Sequence, residues 1–169
     1  MFFTNIKDPD YAQGLLMIDI CNKYLTVIPI KTKQIPDVAK SIEQAITKMG
    51  HKPETIIYSD IEGAFVSNII QKYFKDNNIR HLTTLGHAPV AERAIRTIKD
   101  MIYKRVEANG EKWHEVLYAV LLTYNQKMIH GTTKMTPNEA RKETNMFTVT
   151  LNFELKCKTH KKISNNNTR

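Results

Sequence analysis

Hydrophobic positions along the chain recur with two different periods. Leu15 to Cys21 and Tyr24 to Ile30 are β-rich runs separated by Asn22-Lys23, a link short enough for a hairpin. Pro29 cannot donate to a ladder, so the second run is expected at a sheet edge. Phe2 to Ile6 reads as a further strand. The period then lengthens: Val38, Ile42, Ala45, Ile46 and Met49 stand at helical spacing within Pro36 to Met49, with Gly50 where a C-terminal cap belongs. Thr55 to Tyr58 predicts a short buried strand. Val66 to Asp76 predicts a helix with Ile69, Ile70, Tyr73 and Phe74 inward, and Ile79 to Thr83 a last strand.

Strand, helix, strand, helix, strand implies parallel pairing, so the pattern predicts an α/β fold whose mixed sheet joins an antiparallel hairpin to parallel strands. Two long helices follow. Pro89 to Ala108 turns Ala91, Ala94, Ile95, Ile98, Met101 and Ile102 inward and stops at Asn109-Gly110. Lys112 to Lys127 carries Trp113, Val116, Leu117, Val120, Leu121 and Tyr124 as a full apolar stripe, which is core. Thr136-Pro137-Asn138-Glu139 starts a short helix with a capping Thr, Pro in the first turn and an acid three residues after the cap. No internal repeat is visible, and no linker before about residue 145.

Composition narrows the class. The chain has 169 residues, 41% hydrophobic and 25% charged, enough for one domain with a core of its own. The longest apolar candidate for a membrane span, Gly14 to Ile30, is broken by Asp19, Asn22, Lys23 and Pro29. Met1 to Asn5 lacks the basic and apolar regions of a secretory signal, so an intracellular protein is expected. Cys21 and Cys157, far apart, make neither a disulfide framework nor a metal-binding pair, and the six histidines show no ligand spacing, so no zinc finger is encoded. The net charge is +8, but Lys156, Lys158, Lys161, Lys162 and Arg169 follow the last acid, Glu154. That basic end suits a polyanion or a solvated tail, and Asn165-Asn166-Asn167 reads as disordered.

Two acids stand out. Asp60 ends the strand signal Ile56-Ile57-Tyr58-Ser59, and ligands of open α/β sheets bind at the carboxyl ends of strands, although turn chemistry before Gly63 would also place an acid there. Glu92 lies in the first turn of the following long helix, where the helix dipole favours an acid in any case. It also begins a stripe with Arg96, Lys99 and Tyr103 on one face. That face suits a carboxylate holding a divalent metal while its neighbours hold phosphates, or an ordinary solvated surface with one ion pair. Two carboxylates with oxygen ligands only favour Mg²⁺ or Mn²⁺, and such ions, about 3.5 to 4 Å apart when paired, support in-line phosphodiester displacement.

Ser59-Asp60-Ile61-Glu62-Gly63-Ala64-Phe65, Ala91-Glu92-Arg93-Ala94-Ile95-Arg96-Thr97-Ile98-Lys99, Trp113, Tyr124-Asn125, His130 and Thr136-Pro137-Asn138-Glu139-Ala140 form an ordered series. The series resembles the catalytic core of retroviral and retrotransposon-type integrases. Ile18 to Tyr24 and the closing Lys31-Thr32-Lys33 are similar to the versions found in self-synthesising DNA transposons. The resemblance runs from about Leu15 to Ala140 and implies a ribonuclease-H-like fold, a five-stranded mixed sheet flanked by helices. It implies an Asp-Asp-Glu triad with two Mg²⁺ (or Mn²⁺) ions, and DNA integration by 3′-end processing and strand transfer. By position, Asp60 corresponds to the family's second aspartate and Glu92 to its glutamate, both catalytic and both metal ligands. Arg96 and Lys99 fall where the family contacts donor DNA, and Thr84 to Ala88, with Gly86 as hinge, where it has a mobile loop. The partners implied are element-end and target DNA and further copies of the chain, with no membrane and no small-molecule substrate, and the nucleus is the expected site of action.

The sequence departs from that family at several points. The stretch between Asp60 and Glu92 is shorter than usual, and Ile61, Ala64 and Ile95 replace the customary Asn, Glu and Asn. The first aspartate belongs on the first strand, yet Phe2 to Ile6 holds no acid. Asp19 aligns with a second-strand acid outside the triad, and Asp8 and Asp10, flanking Pro9, read as a turn. The expectation is that the missing acid precedes Met1 in a truncated or decayed copy. Residues 1–145 are then the integrase core with a truncated first strand, and 146–169 an extended basic tail, disordered after 158. Phe147 to Cys157 would be either the opening strand of a C-terminal DNA-binding domain or part of that tail. The family's zinc domain is not encoded. Two alternative functions remain: a catalytically dead nucleic-acid-binding remnant, and a multimerising module built on Lys112 to Lys127.

Overall fold

The computed structural model describes residues 2–3, 8, 10–50, 55–84 and 88–166, with the backbone alone for 2, 3, 157 and 159–166. In chain order come β1 (Phe2–Phe3), β2 (Gln13–Ile18), β3 (Leu25–Ile30), α1 (Ile35–Met49), β4 (Ile56–Asp60), α2 (Asn68–Asp76), β5 (Arg80–Thr84), α3 (Pro89–Asn109), α4 (Trp113–Lys127), α5 (Pro137–Ala140), a single 3₁₀ turn (Glu143–Asn145) and α6 (Met146–Asn166). Contacts divide the chain into two compact units. The first holds Met1–Ile18 and Thr26–Leu121, the second Asp19–Leu25 and Leu122–Arg169.

In the first unit the strand order β1-β2-β3 leaves β3 at an edge, which is where Pro29 can sit without breaking a ladder. β1 runs antiparallel to β2, Phe2 opposite Leu15 and Phe3 opposite Gly14. β4 and β5 pair in parallel from Ile56 opposite Arg80 to Asp60 opposite Thr84. The pairing is therefore mixed, but the single five-stranded sheet expected from sequence is not formed among the described residues: five strands make one three-stranded and one two-stranded sheet. A continuous sheet needs a central strand bonded along both edges, and the described β1 spans two residues.

α1 follows its pattern closely. Val38, Ile42, Ala45 and Ile46 are buried, Pro36 stands in the first turn, and Gly50 closes the helix at φ 74°, its N–H bonded to the Thr47 carbonyl. These side chains join Leu15, Ile28, Ile30, Phe65, Ile70, Phe74 and Ile79 in the core of the unit. Two sequence expectations are corrected here. β4 reads as buried, yet Ile56 and Tyr58 are 45% and 50% exposed while Ser59 is buried, because a strand alternates faces and only one is covered. α2 begins at Asn68, so Ile70 and Phe74 point inward while Ile69, one helical step away, is 57% exposed. α3 buries Ala94, Ile98 and Ile102 at intervals of four and ends on Gly110 at φ 67°.

In the second unit α5 is held by a complete capping box. The Glu139 amide donates to the Thr136 hydroxyl oxygen, and the Glu139 carboxylate accepts from the Thr136 amide. The segment from Phe147 to Cys157, expected as a strand or extended tail, is corrected to part of helix α6. It contains no Gly or Pro, and Val149, Asn152, Phe153 and Lys156 recur at helical spacing. Val149 is buried, Asn152 donates to the Thr133 carbonyl, and Lys156 donates to the Thr132 hydroxyl. No helix among the described residues is long and apolar enough to cross a membrane.

Candidate active site

Asp60 is the last residue of β4 and stands opposite Thr84, the last residue of β5, so a parallel pair ends on an acid at its carboxyl edge. Asp60 is half-buried, and its Oδ1 is shielded from solvent without a hydrogen-bond partner among the described residues. A carboxylate oxygen left this way is costly unless something bonds it.

The backbone around Asp60 is held by a directed chain of bonds. The amide nitrogen of Gln71 donates to the Phe65 carbonyl at 2.7 Å, which fixes the orientation of the amide because a carbonyl can only accept. The same nitrogen lies 2.8 Å from Nδ1 of His81, making Nδ1 an acceptor and assigning the ring proton to Nε2. Nε2 lies 2.9 Å from Oγ of Ser59, and that hydroxyl donates to the Asp60 carbonyl at 2.8 Å. The Glu62 amide bonds to the same carbonyl. His81 packs beside Phe74 and Phe65, ring centroids 5.1 and 6.5 Å away, and burial holds its pKa below the ordinary histidine value.

Glu92 is the fourth residue of α3, its amide bonded to the Ala88 carbonyl. Together with Ile95, Arg96, Lys99, Asp100 and Tyr103 it lines an open depression of about 560 Å³. The stripe read from sequence is therefore one surface, with an acid at its start and two cations beyond it. Asp60 is not part of that lining. Residues 85–87, and with them most of the expected mobile loop including Gly86, lie outside the described residues. From Thr84 to Pro89 the chain can reach about 17 Å, an upper limit on the separation between the end of β5 and the start of α3.

A second constellation was not foreseen. Ligand atoms of Asp8, Asp10 and His114 lie within 4.8 Å of one another, a group that could hold a cation. The sequence offers no signal for it, because the partners stand on either side of a whole α/β unit. The three are already engaged. His114 Nδ1 is 2.7 Å from Asp8 Oδ2, Lys112 Nζ is 2.7 Å from Asp10 Oδ2, and Asp8 Oδ1 accepts from the amides of Asp10 and Tyr11. The Asp8 side chain has no exposed surface. Burial opposes its charge, but the bond from His114 and the two amides outweigh it and hold the carboxyl below its ordinary pKa. The cluster follows the C-terminus of α3, about 26 Å along the helix axis from Glu92. Asp19 is committed as well: its Oδ1 accepts from the amides of Cys21 and Asn22, a local turn in the second unit.

Comparison with known proteins returned one curated relative at significant similarity. It is the retrovirus-related Pol polyprotein from transposon 297 of Drosophila melanogaster, 27% identical over 139 residues, 80% of this chain. The chain spans 13% of that polyprotein's length. No family model matches. Among solved structures, the integrase catalytic core of HTLV-2 in complex with magnesium is similar in its trimeric form with TM-score 0.70 at 19% identity, covering 84% of this chain and 91% of that one. The dimeric form gives 0.66 at 20%, covering 81% and 88%. A chain of the simian T-cell lymphotropic virus intasome, solved in complex with the PP2A regulatory subunit B56 gamma, gives 0.70 at 20%, covering 82% and 50%.

Proposed function

From a chain that has the ribonuclease-H-like fold of integrase catalytic cores and resembles a retrotransposon Pol polyprotein in sequence, we infer a role in DNA integration by a mobile element, as the polynucleotidyl-transferring part of its integrase. The observation that carries this reading is Asp60, an acid at the carboxyl end of a parallel strand with a shielded, unpartnered carboxylate oxygen. Glu92, in the first turn of the next helix, supplies the second carboxylate.

Oxygen-only donors fit Mg²⁺ or Mn²⁺, and the orphaned Oδ1 of Asp60 is the kind of atom such an ion satisfies. The chemistry a pair of these ions supplies is activation of a water or 3′-hydroxyl and uptake of charge on the leaving oxygen. Asp60 and Glu92 would hold them. Arg96 and Lys99, one and two turns beyond Glu92 on the same surface, would fix the phosphates of the element end, with target DNA as second substrate. The HTLV-2 relative was solved with magnesium and as dimer and trimer, and the simian virus chain within an intasome. Magnesium, self-association and a nuclear site of action are parts of this proposal for the present chain, as is a core ending near residue 145.

A second reading, a nucleic-acid-binding remnant without catalysis, is favoured by one observation: Asp8, Asp10 and Asp19, the acids around the first two strands, are all bonded elsewhere. Titration with Mn²⁺ tests the site. Asp60→Asn and Glu92→Gln should each weaken binding markedly, and unchanged affinity in both overturns the assignment. Joining of a labelled element end to target DNA separates the readings, since the remnant retains DNA without joining it.

A further inference from the structure

We propose that His81 is a positioning residue: through Ser59 it fixes the peptide that carries the Asp60 carboxylate. The proposal rests on the assignment of Asp60 as a metal ligand and adds to it a chain of neutral hydrogen bonds that sequence motifs do not contain.

Every donor and acceptor in the chain is determined. The Phe65 carbonyl can only accept, so Gln71 presents nitrogen to it and to Nδ1 of His81. His81 then has one proton, on Nε2, and gives it to Ser59 Oγ. Ser59 has one proton and gives it to the Asp60 carbonyl. All the bonds run in one direction, from α2 through β5 to the last peptide of β4. The Thr84 hydroxyl, 3.3 Å from the Ser59 carbonyl, ties the same residue to the end of β5. The loop after Asp60 is caught by the same device, because Phe65, which accepts from Gln71, also bonds its own amide to the Glu62 carbonyl. Ser59 and the Phe65 and Phe74 rings beside His81 are buried, while Gln71 and His81 are half-buried, so the bonds are partly shielded from water. A carboxylate that must meet a metal within a few tenths of an ångström needs its Cα held, and Oδ1 of Asp60 has no hydrogen-bond partner among the described residues to hold it.

Two substitutions separate positioning from packing. His81→Phe keeps an aromatic ring between Phe65 and Phe74 and removes both nitrogens. His81→Gln gives up the ring but sets an amide nitrogen where Nε2 stands. A residue that only fills space tolerates Phe better than Gln, and a residue that positions through its N–H tolerates Gln better than Phe. The full chain is titrated with Mn²⁺ alone, and the Asp60 side-chain carboxyl ¹³C resonance is recorded without metal. The expected result is roughly tenfold or more weaker Mn²⁺ binding in His81→Phe and in Ser59→Ala, no further loss in the double variant, and recovery in His81→Gln. A folded His81→Phe chain that binds as the parent does, or a His81→Gln chain no better than His81→Phe, overturns the proposal. If His81→Phe fails to fold, Ser59→Ala decides, since it removes one oxygen: unchanged affinity and an unmoved Asp60 resonance overturn it. If the parent binds no Mn²⁺, the metal-ligand reading falls and the resonance still judges the positioning. Movement in His81→Phe with return in His81→Gln supports it, and an unmoved resonance overturns it.

Discussion

The side chain of Asn125 takes both main-chain groups of Leu25. Its Oδ1 accepts the Leu25 amide at 3.1 Å and its Nδ2 donates to the Leu25 carbonyl at 2.9 Å. Both residues are buried, so the amide satisfies two groups that water cannot reach. Asn125→Leu, close in shape and unable to bond, should destabilise the fold by about 2 kcal/mol or more, since each orphaned group costs on the order of 1–3 kcal/mol. A urea midpoint equal to that of the parent would refute this role.

The two isoleucines of α2 make a packing test. Ile70 is fully buried and Ile69 is 57% exposed. Ile70→Ala should cost about 2–5 kcal/mol and Ile69→Ala within about half a kcal/mol. Trp113 is the only tryptophan and is 1% exposed, so its fluorescence follows both unfolding curves.

Acid should weaken the fold in part through Asp8. Its carboxyl is held below the ordinary 3.8, so the native state binds fewer protons than the unfolded chain there. The stabilisation is complete above that ordinary value and is lost as the pH falls through the lower folded one. The thermal midpoint, followed from about pH 5 to about pH 2, should fall less steeply in His114→Ala than in the parent, because the variant lacks a bond that depresses Asp8. Equal slopes would show that His114 does not contribute.

On DNA, Arg96→Ala and Lys99→Ala should weaken binding of element ends with little regard to sequence. Each should reduce the slope of log affinity against log salt by roughly 0.9 if it neutralises one phosphate. An unchanged slope in both places the DNA elsewhere. The exposed Arg96 is the stronger candidate for direct contact, since its side chain is free to reach outward from α3.

Much of the architecture is legible in the residues themselves, for local reasons. Gly50 and Gly110 mark helix ends because they adopt positive φ, and Thr136 with Glu139 spells out a capping box that folds as written. The face carrying Glu92, Arg96, Lys99 and Tyr103 follows from helical geometry alone. The ordered motifs carry the family resemblance because their residue types and sequence order can be compared without coordinates. What escapes the sequence is whatever depends on a partner far along the chain. Ile69 and Ile70 are equally apolar, and only the placement of α2 against the core decides which is covered. Phe147 to Cys157 reads as extended until Asn152 and Lys156 find the loop around Thr133. His81 carries no motif, and Asp8 and His114 share none. Periodicity reports one element's own geometry, whereas the Gln71–His81–Ser59 chain and the Asp8–His114 pair exist only once separate elements have been brought within hydrogen-bonding distance.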